Sequence, residues 1–385
     1  MKLLELLDSK PLYYTKFDPN RIVKAYELIK DKINHPKAVQ LIGTNAKGST
    51  GRAIAHLASK SGLRVGHFSS PHILDFKERF WIDGEFATLN ELEDANSKLF
   101  KLLGKKVALS LSYFEYQALL AFVLFEDLDL IVIEAGLGGE FDATSVKRYD
   151  LSVITPIGLD HSDFLGKTIK EVATTKLKAM AKEALIAKQE SFEVYEIAKQ
   201  IAKKKGIKLY FYDTLAEKKE SIRDYISNRG WAEYIIQNII NATIALDILN
   251  IKYNYKDLDS LRLFGRFYRL EPNIIIDVGH NALAAKAILK ALPKRVNLIF
   301  NILDDKDYKE VLNILKPKIK ELKIIKINTQ RATNLKELEG LLKSFNIKYS
   351  YFDGKLDKKE EYLVFGSFYV VEEFLKTIGI KEITS

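Results

Sequence analysis

The sequence predicts an α/β protein of two parts: a large N-terminal domain of P-loop type with a mostly parallel sheet, and a smaller Rossmann-like C-terminal α/β domain. Three observations carry this. Apolar strand-like runs alternate with long helical patterns over most of the 385 residues, as parallel strands joined by crossover helices require. The first run leads straight into Gly43-Thr44-Asn45-Ala46-Lys47-Gly48-Ser49-Thr50, a glycine- and lysine-bearing loop that opens a helix. A second series of strand-like runs starts near Asn273.

Taken in order, the chain opens on Met1-Lys2-Leu3-Leu4-Glu5, a short mixed helix. It lacks the apolar core and cleavage site of a signal peptide, so a cytoplasmic location is expected. Strands of the first series are expected at 37–43, 64–69, 128–135, 151–157 and 184–187. A helix is expected over 169–181. The second series is expected at 274–278, 296–302, 323–327, 347–352 and 362–365. The stretch 263–272 between the two series reads as a hinge. The expected domains are therefore 1–266 and 273–385, with a linker at 267–272. A ligand between two such domains is the default expectation.

Composition narrows the function. Hydrophobic residues make up 47% of the chain, as in a globular protein. No apolar run reaches the roughly 18 residues of a membrane span. The absence of cysteine excludes disulfides, thiolate metal sites and cysteine nucleophiles. Any metal must be held by oxygen or histidine. The net charge of +9 suits anionic substrates or nucleic acid. Runs such as Lys203-Lys204-Lys205 read as solvated helix faces.

Four further clusters follow strand ends, where loops of an open α/β sheet meet a ligand. In Ser69-Ser70-Pro71-His72 a hydroxyl could serve Mg²⁺, although Ser-Pro is also an ordinary turn. In Glu134-Ala135-Gly136-Leu137-Gly138-Gly139-Glu140-Phe141-Asp142-Ala143-Thr144, the acid ends a strand apolar enough to lie at the centre of a sheet. A glycine turn explains the glycines but not that acid, which points to a metal-serving carboxylate. Gly158-Leu159-Asp160-His161 places one of only six histidines beside a strand-end aspartate, and the helix after it carries Lys176. Asp277-Val278-Gly279-His280-Asn281 could reach a ribose or phosphate. Asp305-Lys306-Asp307 likewise ends a strand, although Asp and Asn favour turns anyway.

In this order and spacing the segments resemble the folylpolyglutamate synthase/dihydrofolate synthase family of the Mur ligase superfamily. Glu78-Arg79-Phe80, Tyr113-Phe114-Glu115 and Gly265-Arg266 carry the resemblance too. It runs from Lys16-Phe17-Asp18-Pro19 to Phe365-Gly366-Ser367-Phe368-Tyr369. It implies an ATP-dependent ligase that adds L-glutamate to dihydropteroate, a (tetrahydro)folate, or both, through an acyl phosphate. It implies ATP and Mg²⁺, a monomer, and neither nucleic-acid nor membrane partners. The loop Gly43 to Thr50 would hold ATP, with Lys47 and Ser49 on its phosphates. Asn241, Arg266, Asp277 and His280 would complete the nucleotide site. Ser70, Glu134 and His161 would hold Mg²⁺. Lys176 aligns with a lysine that is carbamylated in the superfamily, and Lys178 two residues on leaves the register open. Lys47, Lys176 and His161 would form the catalytic set, and Phe114, Asp142 and Ala143 the pterin pocket.

Besides Lys176-Leu177-Lys178-Ala179-Met180, where Lys-Ala-Gly-Ile is usual, the chain departs from the family pattern in four places. Ala46 stands where the loop usually has glycine, Asn238 where a helix motif has glutamine, Ser145 where asparagine is usual, and Phe264 where proline precedes Gly265-Arg266. Two rival readings remain at this point. One is a Mur-type ligase acting on a cell-wall precursor, for which the chain is short of a third large domain. The other is a nucleotide-dependent nucleic-acid-binding protein.

Overall fold

A computed structural model describes residues 1–11, 18–160 and 165–383. Its framework is two sheets. The first contains β1 (Lys37–Ile42), β2 (Val65–Phe68), β3 (Phe80–Ile82), β4 (Glu85–Phe86), β5 (Leu130–Glu134), β6 (Leu151–Ile154), β7 (Glu183–Ile186) and β8 (Lys208–Phe211). Their spatial order is β4-β3-β2-β5-β1-β6-β7-β8. From β2 to β8 every pairing is parallel, while β3 and β4 add an antiparallel edge. The second sheet contains β9 (Tyr268–Glu271), β10 (Ile274–Asp277), β11 (Val296–Phe300), β12 (Ile319–Ile324), β13 (Tyr349–Tyr351) and β14 (Tyr362–Phe365). It is ordered β13-β12-β11-β14-β10-β9 and is parallel except for β9.

The central strands are apolar on both sides because both faces of the sheet are covered. Leu130, Ile131, Val132 and Ile133 of β5 are all buried. The helices Lys47–Lys60 and Glu233–Ile248 pack on one face. On the other lie Pro19–Ile29, Leu89–Ser110 and Tyr113–Leu124. The apolar spacing Ala53, Ile54, Leu57 and Ala58 points inward as expected. Each such leucine or isoleucine contributes about 1.5–3 kcal/mol by burial.

The elements differ from the sequence expectation in places. The segment 267–272, expected as a linker, contains β9, which pairs with β10. The chain crosses between the sheets earlier, where Gly265 has φ 70° and Phe267 φ 46°. Strands β3, β4 and β8 were not expected, because short edge strands lack a long apolar run. The strand expected at 323–327 is Ile319–Ile324, where Lys320, Glu321 and Lys323 interrupt the apolar pattern. The helix expected over 169–181 ends at Leu177, since the chain must turn there to enter β7.

Candidate active site

Strands β2, β5, β1 and β6 are neighbours and parallel, so their carboxyl ends share one rim of the sheet. That rim carries Ser70, Glu134, the loop after β1 and Asp160. The second sheet brings the ends of β10 and β14 opposite it. Between them lies a cleft of about 490 Å³, lined from Gly43 to Ser49, by Ser70, Glu134, Lys176, Arg266, Asp277 and His280, and by Phe368.

The loop after β1 is held from below, since the N–H groups of Thr44 and Asn45 donate to the Pro156 carbonyl at 3.0 and 3.2 Å. Ala46 is the N-cap of the helix Lys47–Lys60, with φ 71° and no side-chain cap. The residue that replaces the usual glycine thus adopts the left-handed conformation glycine favours. The helix N-terminus faces the cleft with its unpaired N–H groups and positive dipole end, a ready anion site. Lys47 Nζ folds back on the carbonyls of Gly43 (3.2 Å) and Thr44 (3.3 Å) and lies 3.8 Å from Glu134.

Glu134 is buried at the end of β5. Burial pushes its carboxyl up, while Lys47, Arg266, the Ser70 N–H (3.3 Å) and Arg79 pull it down. A strand-end carboxylate lining the same cleft as Ser70 offers oxygen donors of the kind a divalent cation takes. Among the described residues, no group of three or more His, Cys, Asp or Glu side chains could hold a metal. His161, expected as a third ligand and as a catalytic residue, lies outside the described residues.

Lys176 is buried, and its amine donates to the Leu137 carbonyl at 2.5 Å and the Gly43 carbonyl at 3.1 Å. Burial, aided by the charge of Lys47, lowers its pKa to about 7. An amine that is half neutral at neutral pH is nucleophilic. Lys178, the other lysine in register, is half exposed and paired with Glu140 at 3.1 Å. Geometry therefore selects Lys176 as the lysine of the cleft.

The second domain contributes Asp277, whose Oδ2 accepts from the Tyr234 hydroxyl (2.7 Å) and the Phe267 N–H (2.8 Å), and whose Oδ1 accepts from the Gly279 N–H (2.7 Å). Burial pushes this carboxyl up, against the Tyr234 hydroxyl and Arg266. Asp160 joins the two domains through several contacts. Lys306 Nζ approaches it at 2.6 Å, Asn281 Nδ2 at 3.2 Å and His280 Nε2 at 3.4 Å. Asn281 also exchanges amide hydrogen bonds with Asn45 of the loop, at 2.9 and 3.0 Å.

Not every expected residue reaches the cleft. Thr50 is buried behind the loop, and Asn241 bonds to the Gln237 carbonyl at 2.9 Å, away from the lining. Asn238, one turn earlier, lines the cleft instead and donates to Ser49 Oγ at 2.8 Å. Asp142 is buried with both oxygens occupied, by the Gly138 N–H (2.8 Å) and by the N–H and hydroxyl of Thr144 (2.9 and 2.7 Å). Ala143 is in the core, and Phe114 packs against Gly136, where a Cβ would lie 2.7 Å from its ring. These three sit behind the Gly136 turn rather than in the cleft. Sequence reasoning missed Tyr234 and Gln189. Tyr234 stands one turn before Asn238, so helical spacing could have found it. Gln189, which clamps the Ile157 N–H and the Ala187 carbonyl at the cleft edge, gave no signal.

No protein-family model matches the chain. Whole-chain relatives do. It is 32% identical over 362 residues to the dihydrofolate synthase/folylpolyglutamate synthase of Buchnera aphidicola (subspecies Schizaphis graminum), covering 86% of each chain. It is 31% identical over 379 residues to the Escherichia coli protein of the same name, covering 90% of this chain and 87% of that one. Among solved structures, Helicobacter pylori folylpolyglutamate synthetase aligns with a TM-score of 0.79 at 38% identity, covering 98% and 97% of the two chains. E. coli FolC in complex with DHPP and ADP aligns with a TM-score of 0.82 at 24% identity over 98% of each, which shows the shared fold. With relatives of this identity along nearly its full length, the chain belongs to the dihydrofolate synthase/folylpolyglutamate synthase family of the Mur ligase superfamily.

Proposed function

We propose that the chain joins L-glutamate to dihydropteroate and to a (tetrahydro)folate, at the expense of ATP and through an acyl phosphate. The observation that carries this is the meeting of a phosphate loop, a buried strand-end carboxylate and a lowered-pKa lysine in one cleft closed by a second domain. A carboxylate resists amines because oxide is a poor leaving group, and phosphorylation removes that obstacle. The acceptor carboxylate attacks the γ-phosphorus of ATP, ADP leaves, and the α-amine of glutamate then displaces phosphate from the acyl carbon.

This chain's residues supply positioning and charge. The loop N–H groups and Lys47 hold the transferred phosphoryl group, and Arg266 meets it from the domain junction. Asp277 would hold the ribose. A Mg²⁺ ion held by Ser70, Glu134 and His161 would neutralise phosphate charge. Carbamylated by CO₂, Lys176 would become an anionic group beside the loop. The Asp160 contact keeps the domains together and excludes water, which would otherwise hydrolyse the acyl phosphate. A monomer would suffice for this reaction, since both sides of the cleft come from one chain.

The test is phosphate release from purified protein with ATP, Mg²⁺ and glutamate, comparing dihydropteroate, tetrahydrofolate and no acceptor. Turnover with both acceptors is expected. Turnover with one reduces the proposal to that activity, and turnover with neither overturns it.

A further inference from the structure

Arg266 faces a specific problem in this cleft. Its guanidinium must stay in one orientation and still present free N–H donors to a phosphate. Holding it by a carboxylate would occupy the donor edges that the substrate needs. Among the described residues the guanidinium makes one hydrogen bond, from Nη1 to the carbonyl of Gly265 at 3.2 Å. It meets an aromatic ring instead, since Cζ lies over the Phe368 ring, 5.1 Å from its centroid. The edge points to the phosphate loop: a Cβ at Gly48 would lie 3.3 Å from Arg266 Nη2 and equally close to Glu134 Oε2.

Phe368 is itself held firmly. It opens the helix Phe368–Thr377, whose N-cap Ser367 accepts from the Val370 N–H at 3.2 Å. Gly366, at φ 133°, packs so tightly that a Cβ would lie 1.8 Å from the Asn301 carbonyl. The backbone that carries the ring therefore has little freedom to shift, and both Phe368 and Arg266 line the cleft.

We propose that Phe368 is the positioning residue for Arg266: its ring lies against the guanidinium, sets the donor edge over Gly48, and leaves that edge free for the phosphate oxygens of ATP. The contact also links domains, since the arginine follows the crossing at Gly265 and the ring belongs to the second sheet's last helix. Arg266 is thus oriented only while the second domain is in place. The inference rests on the ligase reading above.

The experiment measures kcat and the KM for ATP in the glutamate-ligation assay for the parent, Phe368→Leu, Phe368→Tyr and a series with stepwise fluorinated phenylalanine at 368. Fluorination keeps the ring's shape and drains its negative face. Phe368→Leu is expected to lower kcat about tenfold with a much smaller change in KM, and Phe368→Tyr to restore most of that loss. In the fluorinated series log kcat should fall steadily with each fluorine. Parental kcat across the fluorinated rings would overturn the proposal while leaving the ligase reading intact. A folded parent without turnover on either acceptor would overturn the ligase reading and this role with it.

Discussion

Ala46 has the left-handed backbone at the start of the loop helix, with φ 71°. A Cβ in that region costs about 1–2 kcal/mol, while glycine gives back about 0.4–1 kcal/mol through unfolded-state freedom. Ala46→Gly is therefore expected to stabilise the protein by about 0.5 kcal/mol, read as a higher denaturation midpoint. An unchanged or lower midpoint would count against strain at this position. Lys176 gives a prediction in pH. Its folded pKa of about 7 lies below the unfolded value of 10.5, so between these the unfolded state binds more protons and stability rises with pH. From pH 7 to 9 the gain is about 2 kcal/mol relative to Lys176→Met, measured by urea denaturation of both proteins. Parallel pH profiles would show that this amine keeps an ordinary pKa. At this scale the sequence was informative wherever a residue type was out of place for its surroundings. Glu134 at the end of an apolar strand is one case, and Lys47 between glycines another. Tyr234 and Phe368 gave no such signal, because aromatic residues on helices usually mean core.

The helix Ile169–Leu177 shows how an element delivers a residue. Thr168 caps it by accepting from the Glu171 N–H at 3.2 Å, and the Glu171 carboxylate returns to the N–H groups of Lys167 (2.8 Å) and Thr168 (3.0 Å). This capping box fixes the helix start, and Lys176 lies two turns further on. Thr168→Ala is expected to cost about 1 kcal/mol and to lower kcat, by loosening the register that puts the Lys176 amine against Gly43 and Leu137. If stability falls and kcat does not, register is set by packing instead. The start at Ile169 agrees with the helix expected from 169. The stop at Leu177 was not expected, because what ends the helix is the turn into β7 rather than a glycine or proline. Strand β9 escaped for a similar reason: Tyr268-Arg269-Leu270-Glu271 is half exposed and becomes a strand only beside β10.

At the scale of the molecule, the buried pair of Asp160 and Lys306 spans the domain junction at 2.6 Å, with both side chains almost fully buried. Removing one partner leaves a buried charge and costs about 3–5 kcal/mol. Lys306→Met is expected to lower the denaturation midpoint. It should also raise phosphate released per glutamate joined above one, as water enters a looser cleft. A ratio that stays at one would mean the pair has no part in closure. The sequence by itself determined the two α/β series, the glycine- and lysine-bearing loop and the strand-end acids, and it pointed to the family with two rival readings still open. These are written in local periodicity and in motifs whose chemistry needs particular residues at particular spacing. Only the tertiary structure decided that Asn238 rather than Asn241 lines the cleft, that Lys176 rather than Lys178 is its lysine, and that Asp160 pairs with Lys306. Those outcomes depend on which strands become neighbours and how one domain rests on the other, and such long-range packing leaves no period in the chain.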